Sequence, residues 1–355
     1  MKTQAQVSEV DFNGQNFYCG IDVHKKSWTV TIETDDITLK TFRQNPDPLL
    51  LSKYLKHHYP GGTYVAGYEA GYFGFGIQRD LTSLGVECQV LHAADIPTTH
   101  KEKDQKRDPR DSRKIARTLR INAISSIWVP TKQQESDRQL IRTRKSLVQK
   151  MSRVKTQIKS FLIIHGIAFP EGYSENVRWS SKFIKWIGEV KLEQENGTHA
   201  LLAYYHELVF LRSELAKVDK LIKEMSNNDP YRRVFPGLMK VSGVGQVTAM
   251  TFLTEIGDIN RFNDTDHLRS YVGIIPRSHS SGETERQGRI TNRANTHLRS
   301  LVIEMAWMAV RRDPVYLKKF QEHCKKMKPN KAIIRIANSL VNRIYYIIKK
   351  ENAKC

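Results

Sequence analysis

The chain has 355 residues, of which 39% are hydrophobic, and this is enough for two or three domains with buried cores. It carries 57 Lys and Arg against 37 Asp and Glu, a net charge of +20, which favours a polyanionic partner, either nucleic acid or an anionic membrane surface. No apolar run approaches the roughly 18 residues of a membrane-spanning helix, and the N-terminus has no apolar signal core, so we expect a cytoplasmic protein without a membrane partner. The four cysteines lack the paired spacing of zinc ligands, which argues against a zinc module.

The first third of the chain alternates between strand and helix patterns, after a polar, aperiodic tail over residues 1–13 that is predicted to be flexible. Period-two alternation predicts five strands, at residues 17–22, 27–33, 37–42, 64–69 and 86–91. Helical periodicity predicts three helices, at residues 46–59, 75–84 and 108–121. A meander of three strands, followed by helix, strand, helix, strand and helix, resembles the order of RNase H-like domains, in which helices flank one sheet. We therefore predict an α/β domain over residues 14–130.

Two long helical segments with heptad-like apolar spacing follow, and we predict a coiled-coil helical region over residues 131–230. The apolar stripes fit an antiparallel hairpin within one chain or a coiled coil between subunits, and periodicity does not distinguish the two. The first segment is strongly basic, with nine Lys and Arg against two acids between residues 131 and 160. A solvent-exposed helix face usually mixes both signs, so this excess favours nucleic-acid contact, with Arg142, Arg144 and Lys145 as candidates.

A mostly α-helical C-terminal domain is predicted over residues 231–350. Near its start, Gly243 and Gly245 lie between two helical segments, and this pattern predicts a helix-hairpin-helix. Glycines there let the backbone and the next helix N-terminus approach a phosphate, although an ordinary glycine-rich connection fits the same residues. Further on, residues 273–288 are rich in Ser, Gly and Arg and are predicted to form a loop.

Four acidic residues occupy positions that such a sheet brings together. Asp22 ends the first predicted strand, Glu69 ends the fourth, and Asp108 and Asp111 open the last helix at a spacing that puts them on one helix face. In an RNase H-like sheet these places converge at one edge, where clustered carboxylates need cations, most naturally Mg²⁺. Asp108 and Asp111 also fit a helix N-cap and its third residue, and the two roles are compatible.

Basic residues crowd the segment that precedes and forms this helix. Nine Lys and Arg lie within residues 101–120, and they would draw a phosphate backbone toward the carboxylates. The candidate phosphate contacts here are Lys106, Arg107 and Arg110.

Four motifs carry a family resemblance, namely Gly20-Ile-Asp-Val-His-Lys25, Tyr68-Glu-Ala-Gly71, residues 106–116 and Val241-Ser-Gly-Val-Gly245. In this order they resemble the DEDD transposases of bacterial insertion sequences, which include Piv-type DNA invertases and bridge-RNA-guided recombinases. The resemblance implies a RuvC-like (RNase H-like) N-terminal domain, a coiled-coil middle and a C-terminal transposase domain. It also implies the catalytic, metal-binding carboxylates Asp22, Glu69, Asp108 and Asp111. Arg107 stands where the family often has Thr, and Ser112 where it often has Ala.

The family also has a serine directly before a glycine in its C-terminal domain, shortly after a Gly-x-x-Pro motif. Here that motif is residues 273–276, and Ser281 before Gly282 is the match, with Ser278 and Ser280 as neighbouring alternatives. A hydroxyl in a basic loop can attack a phosphodiester when a base or a metal activates it, although the residues alone fit a flexible Ser-rich loop at least as well. The arginines that would neutralise the developing charge are Arg277, Arg289 and Arg293.

The resemblance implies a DNA recombinase that moves an insertion sequence by Mg²⁺-dependent strand cleavage and exchange through a phosphoserine intermediate. Its expected partners are donor and target DNA, a guide RNA encoded by the element and further copies of the chain, as a dimer or tetramer, in the bacterial nucleoid. A RuvC-like nuclease or junction resolvase that activates water fits the same carboxylates without using Ser281. A non-catalytic nucleic-acid-binding protein fits the charge, but it leaves the intact carboxylates without a role.

Overall fold

The computed structural model of the chain describes residues 11–97, 108–171, 179–281, 284–291 and 294–353. For residues 108–109, 277–281 and 284–289 it describes the backbone and not the side chains. The chain divides into two compact units, Met1–Val129 and Pro130–Cys355, each with its own hydrophobic core. Among the described residues, no helix is long and apolar enough to span a lipid bilayer.

Unit 1 is built on one mixed sheet. Its strands are β1 (Asn16–Val23), β2 (Trp28–Glu33), β3 (Thr38–Gln44), β4 (Thr63–Glu69) and β5 (Glu87–Leu91). Their order across the sheet is β3-β2-β1-β4-β5; β2 pairs antiparallel with β1 and β3, and β4 pairs parallel with β1 and β5. The predicted single sheet is therefore present, and parallel pairing puts the carboxyl ends of β1 and β4 at the same edge.

In the described part of unit 1, three helices cover the two faces of this sheet: α1 (Pro48–His58), α2 (Gly76–Ser83) and α3 (Asp108–Arg120). Because side chains alternate along a strand, Ile21 of β1 faces one side, where it shares a core with Leu55 of α1 and Leu81 of α2. Tyr18, three residues earlier in β1, faces the other side and packs with Leu119 of α3. The sheet thus lies between α1 and α2 on one face and α3 on the other.

Helix α3 lies directly against the backbone of β1 and β4. A Cβ at Gly20 would lie 1.9 Å from the backbone oxygen of Ser112, and one at Gly67 would lie 3.0 Å from the side chain of Leu119. Gly20 and Gly67 are register partners in adjacent strands, so two missing side chains together make room for one helix. Ser112 is fully buried at this contact, and its Oγ lies 2.8 Å from Oγ1 of Thr31 on β2. The serine that stands where the family often has Ala therefore has a hydrogen-bond partner in the sheet.

Unit 2 begins with two long helices joined through a short one: α4 (Lys132–Ile164), α5 (Ser181–Glu189) and α6 (Glu195–Ser226). The long helices run antiparallel, since Arg144 near the start of α4 pairs with Asp219 near the end of α6. Near their other ends, Ile158 and Leu201 share one apolar core with α5. The hairpin within one chain is therefore observed, and a coiled coil between subunits stays a prediction.

Six further helices lie in the part of unit 2 that the structure describes: α7 (Phe235–Met239), α8 (Gln246–Ile256), α9 (Thr265–Val272), α10 (Thr296–Arg312), α11 (Pro314–Cys324) and α12 (Pro329–Asn352). A single 3₁₀ turn, Ile259–Arg261, follows α8. Apolar side chains of α8, α10 and α12, such as Phe252, Val302 and Ile336, meet in one large core that also takes in Ile141 of α4. The mostly helical composition of this region agrees with the prediction.

The turn between α7 and α8 holds the two glycines of the predicted helix-hairpin-helix. Gly243 has a φ of +85°, and a Cβ there would lie 2.4 Å from the backbone oxygen of Met305 on α10. Glycine is therefore required at this position by backbone conformation and by helix packing. A Cβ at Gly245, directly before α8, would meet nothing within 4 Å. Packing accounts for Gly243, and phosphate binding by this turn stays a prediction.

The predicted loop over residues 273–288 is wrong for most of its length. The backbone forms an antiparallel hairpin of β6 (Pro276–Ser281) and β7 (Thr284–Ile290), in which Ser281 pairs with Thr284. Ser, Gly and Arg have weak strand propensity, and alternation among polar residues marks no apolar face, so the sequence pattern conceals the strands. The two strands are paired through their backbone N–H and C=O groups, which pairing in a sheet satisfies.

Candidate active site and nucleic-acid interface

Asp22 and Glu69 lie side by side at the carboxyl ends of β1 and β4. Ile21 of β1 pairs with Tyr68 of β4, so the next residues along these parallel strands are the two acids, on backbones about 4.8 Å apart. Each acid lies two residues beyond a glycine that contacts α3, and alternation therefore places both on the α3 face. The structure thus brings two of the four predicted carboxylates to one place.

Helix α3 begins at the same edge of the sheet. At its C-terminal end, Nε of Arg120 lies 3.2 Å from Oε2 of Glu33, which is opposite the start of β1. Ser112, near the other end of the helix, lies over the middle of β1. The first turn of α3, which holds Asp111, therefore points toward the edge where Asp22 lies.

The third and fourth predicted carboxylates belong to this first turn. Asp111 lies 3.5 Å from Nζ of Lys114 on its own helix. Asp108 is the first residue of α3, and its side chain is outside the described part of the structure. Among the side chains that are described, no three His, Cys, Asp or Glu residues are close enough together to hold a metal ion. The donor chemistry nevertheless fits a hard divalent cation, because the edge offers carboxylate groups. Two of these groups, those of Asp22 and Glu69, come from adjacent strand ends.

His24 contacts Asp22, although it is not among the predicted site residues. Its Nε2 lies 3.1 Å from Oδ2 of Asp22, whose side chain is only 18% exposed, while that of His24 is largely exposed. The signal that could have identified His24 is its position two residues beyond Asp22, since a strand period of two puts both side chains on one side. The imidazole is therefore a polar neighbour of the strand-end carboxylate.

The structure describes only some of the basic residues in and before α3. Arg113 and Arg117 are exposed along the helix, and Arg110 is half-buried in its first turn. Lys106 and Arg107 lie outside the described residues. The helix that begins at the acidic edge therefore carries exposed positive charge, as a phosphate-binding surface requires.

In unit 2, two of the predicted nucleic-acid contacts have acidic partners. Glu255 of α8 is fully buried and accepts hydrogen bonds of 2.7 and 2.9 Å from Arg142 of α4, and a third of 2.8 Å from Asn295. Burial raises the pKa of Glu255, but the hydrogen bonds and the charge of Arg142 outweigh it and leave the pKa below its usual range. Arg144 likewise pairs with Asp219 of α6. Both arginines hold helices together, and their contact with nucleic acid stays a prediction.

Lys145, the third basic candidate on α4, borders a cavity of about 320 Å³ between α4, α8 and α10. Its Nζ lies 3.4 Å from Nδ1 of His297, which also lines the cavity together with Arg142 and Ser300. Burial lowers the pKa of His297, and the positive charges of Arg142 and Lys145 lower it further. The cavity therefore combines basic groups with a neutral imidazole at the start of α10.

Ser281 is placed by its backbone at the end of β6, in the last pair with β7. The side chains of Ser281, Ser280, Ser278, Arg277 and Arg289 are not described, and Arg293 lies wholly outside the described residues. At the base of the hairpin, the backbone N–H of Thr291 donates to the oxygen of Ile275 at 3.3 Å. One step further, the backbone N–H of Asn295, directly before α10, donates to the oxygen of Tyr271 in α9 at 2.9 Å.

Comparison with known families and proteins finds similarity in both units. A family model named DEDD_Tnp_IS110 and described as "Transposase" matches residues 19–165. A second model, described as "Transposase IS116/IS110/IS902 family", matches residues 236–321. The first range contains all four predicted carboxylates, and the second contains the serine hairpin.

Individual proteins similar to this chain carry transposase or gene-inversion names. The putative transposase y4qE of Sinorhizobium fredii is 32% identical over 241 residues, which is 68% of this chain and 57% of that protein. The transposase for insertion sequence element IS1533 of Leptospira borgpetersenii is 29% identical over 245 residues, 68% of this chain and 70% of that protein. The pilin gene-inverting protein of Moraxella bovis is 32% identical over 140 residues, 38% of this chain and 44% of that protein. The chain thus spans little more than half the length of the Sinorhizobium relative.

Proposed function

Because the chain belongs to the DEDD transposase family of insertion sequences, we propose that it is a site-specific DNA recombinase that mobilises such an element. The observation that carries the proposal is the adjacency of Asp22 and Glu69 on the α3 face, at the edge where α3 itself begins. Inversion of a pilin gene, named in the Moraxella relative, is a rearrangement of the same chemical kind. Donor and target DNA are the proposed substrates.

A DEDD transposase domain implies a divalent metal cation, and we take Mg²⁺ as that cation because the donors are all carboxylate oxygens. The residues that would hold it are Asp22, Glu69, Asp108 and Asp111. When bound, such a cation supplies concentrated positive charge beside the scissile phosphate and lowers the pKa of an oxygen nucleophile. The contribution of the chain is positioning, since two carboxylates end paired strands and two belong to a helix seated over Gly20 and Gly67.

Ser281 is the proposed nucleophile. Its oxygen forms an ester bond to the scissile phosphorus while the bond from phosphorus to one deoxyribose oxygen breaks, and that oxygen takes up a proton. A deoxyribose hydroxyl of a second strand then attacks the same phosphorus and releases the serine hydroxyl. The number of phosphoester bonds is unchanged, so no ATP is required. The position of Ser281 in a paired strand supports this role, because pairing fixes its backbone. The residues proposed to neutralise the developing charge are Arg277, Arg289 and Arg293.

The net charge of +20 supports nucleic-acid partners, and we propose that these include a guide RNA encoded by the element as well as DNA. The chain would act as a dimer or tetramer, in which the acidic edge of one subunit meets the serine of another. In this proposal residues 14–130 form the metal-binding domain, residues 131–230 the coiled-coil region and residues 231–350 the domain that supplies the nucleophile. The proposed nucleic-acid contacts are Lys106, Arg107, Arg110, Arg142, Arg144, Lys145, Gly243 and Gly245.

A RuvC-like nuclease or junction resolvase is the second candidate function, and one observation favours it. All four predicted carboxylates belong to unit 1. In this alternative the carboxylates and their cation activate a water molecule, and the products are cleaved strands that carry no protein.

Strand exchange between two DNA fragments that carry the ends and the target of the element tests the proposed function. RNA that copurifies with the protein from its host would be sequenced and supplied in the same reaction. Wild-type protein should join donor to target strands, whereas Asp22→Asn should bind DNA without joining it. Hydrolytic cleavage without any joined product would instead favour the nuclease. A variant Asp22→Asn that recombines as well as wild type would contradict both candidates.

A further inference from the structure

Among the described residues, Tyr72 is the most exposed large hydrophobic side chain, and it lies close to the acidic edge. It lies three residues after Glu69 and is 97% exposed, and its neighbour Phe73 contacts it edge to face with ring centroids 5.9 Å apart. Scattered exposed aromatic residues are common on protein surfaces and by themselves need no explanation. Tyr72 is different because it lies three residues after Glu69, a predicted catalytic carboxylate at the end of β4.

The turn that carries Tyr72 is held at several points. The hydroxyl of Tyr68, which is fully buried, donates to the backbone oxygen of Gly74 at 2.7 Å. The backbone N–H of Ala70 donates to the oxygen of Leu91 on β5 at 2.7 Å. Gly74 has a φ of +62°, which favours glycine and closes the turn. The backbone on both sides of Tyr72 is therefore anchored to the sheet while its ring extends into solvent.

Basic side chains lie on the other side of the two carboxylates. The turn between β1 and β2 leaves the same edge of the sheet directly after Asp22, and it contains the exposed residues His24, Lys25 and Lys26. Because β1 lies between β2 and β4, this turn flanks the carboxylates on one side and the Tyr72 turn flanks them on the other. The edge thus presents ammonium groups, carboxylates and an aromatic ring in that order.

We propose that Tyr72 is a stacking platform for an unpaired nucleobase. This base would lie next to the phosphate that reacts at the edge formed by Asp22 and Glu69. This inference rests on the proposed function, because it requires the edge to act on a nucleic-acid backbone. Proteins that bind single strands combine basic groups along the backbone with aromatic rings on which bases stack, and every base has a suitable face. A paired duplex hides its base faces, so the platform selects a strand that is open beside the reacting phosphate. Both a displaced DNA strand and an RNA strand offer such a base.

Binding of oligonucleotides that contain 2-aminopurine tests the proposal with the full chain. The emission of this base changes when it leaves its neighbours and stacks on a protein ring. The substrates are single-stranded DNA, single-stranded RNA and duplex DNA of the same sequence. We expect a change in emission with at least one single strand, and the strand that gives it identifies the source of the base.

The variants separate the ring from its surroundings. Tyr72→Ala should lose the emission change and weaken single-strand binding by about 5- to 150-fold, while its duplex affinity stays the same. Tyr72→Phe should behave as wild type because it keeps the ring. Tyr346→Ala is the matched control, since Tyr346 is also well exposed but lies on α12. Circular dichroism of each variant checks that the fold is intact.

Two outcomes would overturn the inference. One is a Tyr72→Ala variant with unchanged emission and unchanged single-strand affinity. The other is a Tyr72→Ala variant that still gives the emission change but differs from wild type in oligomeric state, measured by light scattering. The ring would then bind a second copy of the chain and not a base. These measurements do not depend on strand exchange. If exchange fails with every substrate while the Tyr72-dependent emission change is present, the recombinase proposal fails and the stacking platform stands.

Discussion

The acidic edge of unit 1 and the serine hairpin of unit 2 are built in opposite ways. At the edge, Asp22 and Glu69 are fixed by a buried sheet whose glycines seat a helix. The hairpin has no hydrophobic residue between positions 277 and 289, and its two strands pair through their backbones. The geometry of the edge therefore depends on Gly20, Gly67 and the helix packed against them, whereas substitutions in the hairpin should affect chemistry and leave the fold intact.

Removal of divalent metal should have the largest effect, and it should act on the chemistry of the acidic edge and not on the fold of either unit. Chelation with EDTA should lower strand cleavage by roughly 10³-fold, because a bound cation supplies several kcal/mol of transition-state stabilisation. Thermal unfolding should stay nearly unchanged, since both units have apolar cores that are complete without the ion. The measurement is cleavage of labelled DNA with EDTA and after added Mg²⁺. Full cleavage in EDTA would mean that the carboxylates have no metal-dependent role.

Gly20→Ala tests whether the seat of α3 holds the acidic edge in place. The new methyl group would meet the backbone oxygen of Ser112 at 1.9 Å, and neither backbone can move without disturbing the sheet. We expect the free energy of unfolding of unit 1 to fall by about 3 kcal/mol, measured by urea denaturation. Gly76→Ala is the control, since a Cβ there meets nothing within 4 Å. Equal stability of the two variants would show that α3 is not seated by Gly20.

Glu255→Gln tests the corresponding interior contact in unit 2. The variant removes the charge that neutralises Arg142 and Arg138 and leaves their guanidinium groups without a carboxylate. Arg142 is partly exposed, so the free energy of unfolding of unit 2 should fall by about 2 kcal/mol, less than for a fully buried pair. The control is Glu207→Gln on the exposed side of α6. A loss of stability no larger than that of the control would show that the ion pairs of Glu255 contribute no more than ion pairs on a protein surface.

The pH dependence of stability should give the smallest effect, and it concerns His297. Burial and the charges of Arg142 and Lys145 hold its pKa below the ordinary value, so the unfolded chain binds this proton more readily. The stability that His297 contributes is full above about pH 6.5 and is lost as the pH falls through the lowered folded-state pKa. Glu255 and Glu304, which also face the cavity, are carboxylates and reduce the size of the effect.

His297→Gln should therefore remove part of the loss of stability on acidification, measured by urea denaturation at a series of pH values. His199→Gln, on the exposed side of α6, should leave the loss unchanged. If the stability of His297→Gln depends on pH in the same way as that of wild type, the charges of Arg142 and Lys145 do not lower the pKa of His297.

The sheet and the strand-end carboxylates could be predicted from the sequence because burial leaves a pattern. β1 and β4 carry buried apolar residues such as Ile21 and Tyr68 directly before the acids Asp22 and Glu69, and the parallel pairing that brings these acids together follows from the element order. The role of Gly20 could not be predicted in this way, because only the path of α3 reveals what a side chain there would meet.

The hairpin and the ion pairs of α4 could not be predicted for a related reason. Strands without apolar residues have no sequence signature, and so residues 276–290 resemble a loop. Arg142 looks like an exposed cation because its partner Glu255 is 113 residues away along the chain. Charge patterns give the number of cations on a helix, but only tertiary packing decides which of them already have a partner.

The most direct test of the two-region account is a covalent-trapping experiment with nicked DNA on a denaturing gel. With wild-type protein and Mg²⁺, we expect labelled DNA to migrate with the protein, and Ser281→Ala should abolish this species without lowering thermal stability. Ser280→Ala should retain it, and Asp22→Asn should lose it although Ser281 is intact. Cleaved DNA without attached protein, at the same rate in wild type and Ser281→Ala, would contradict the account and assign the acidic edge to hydrolysis.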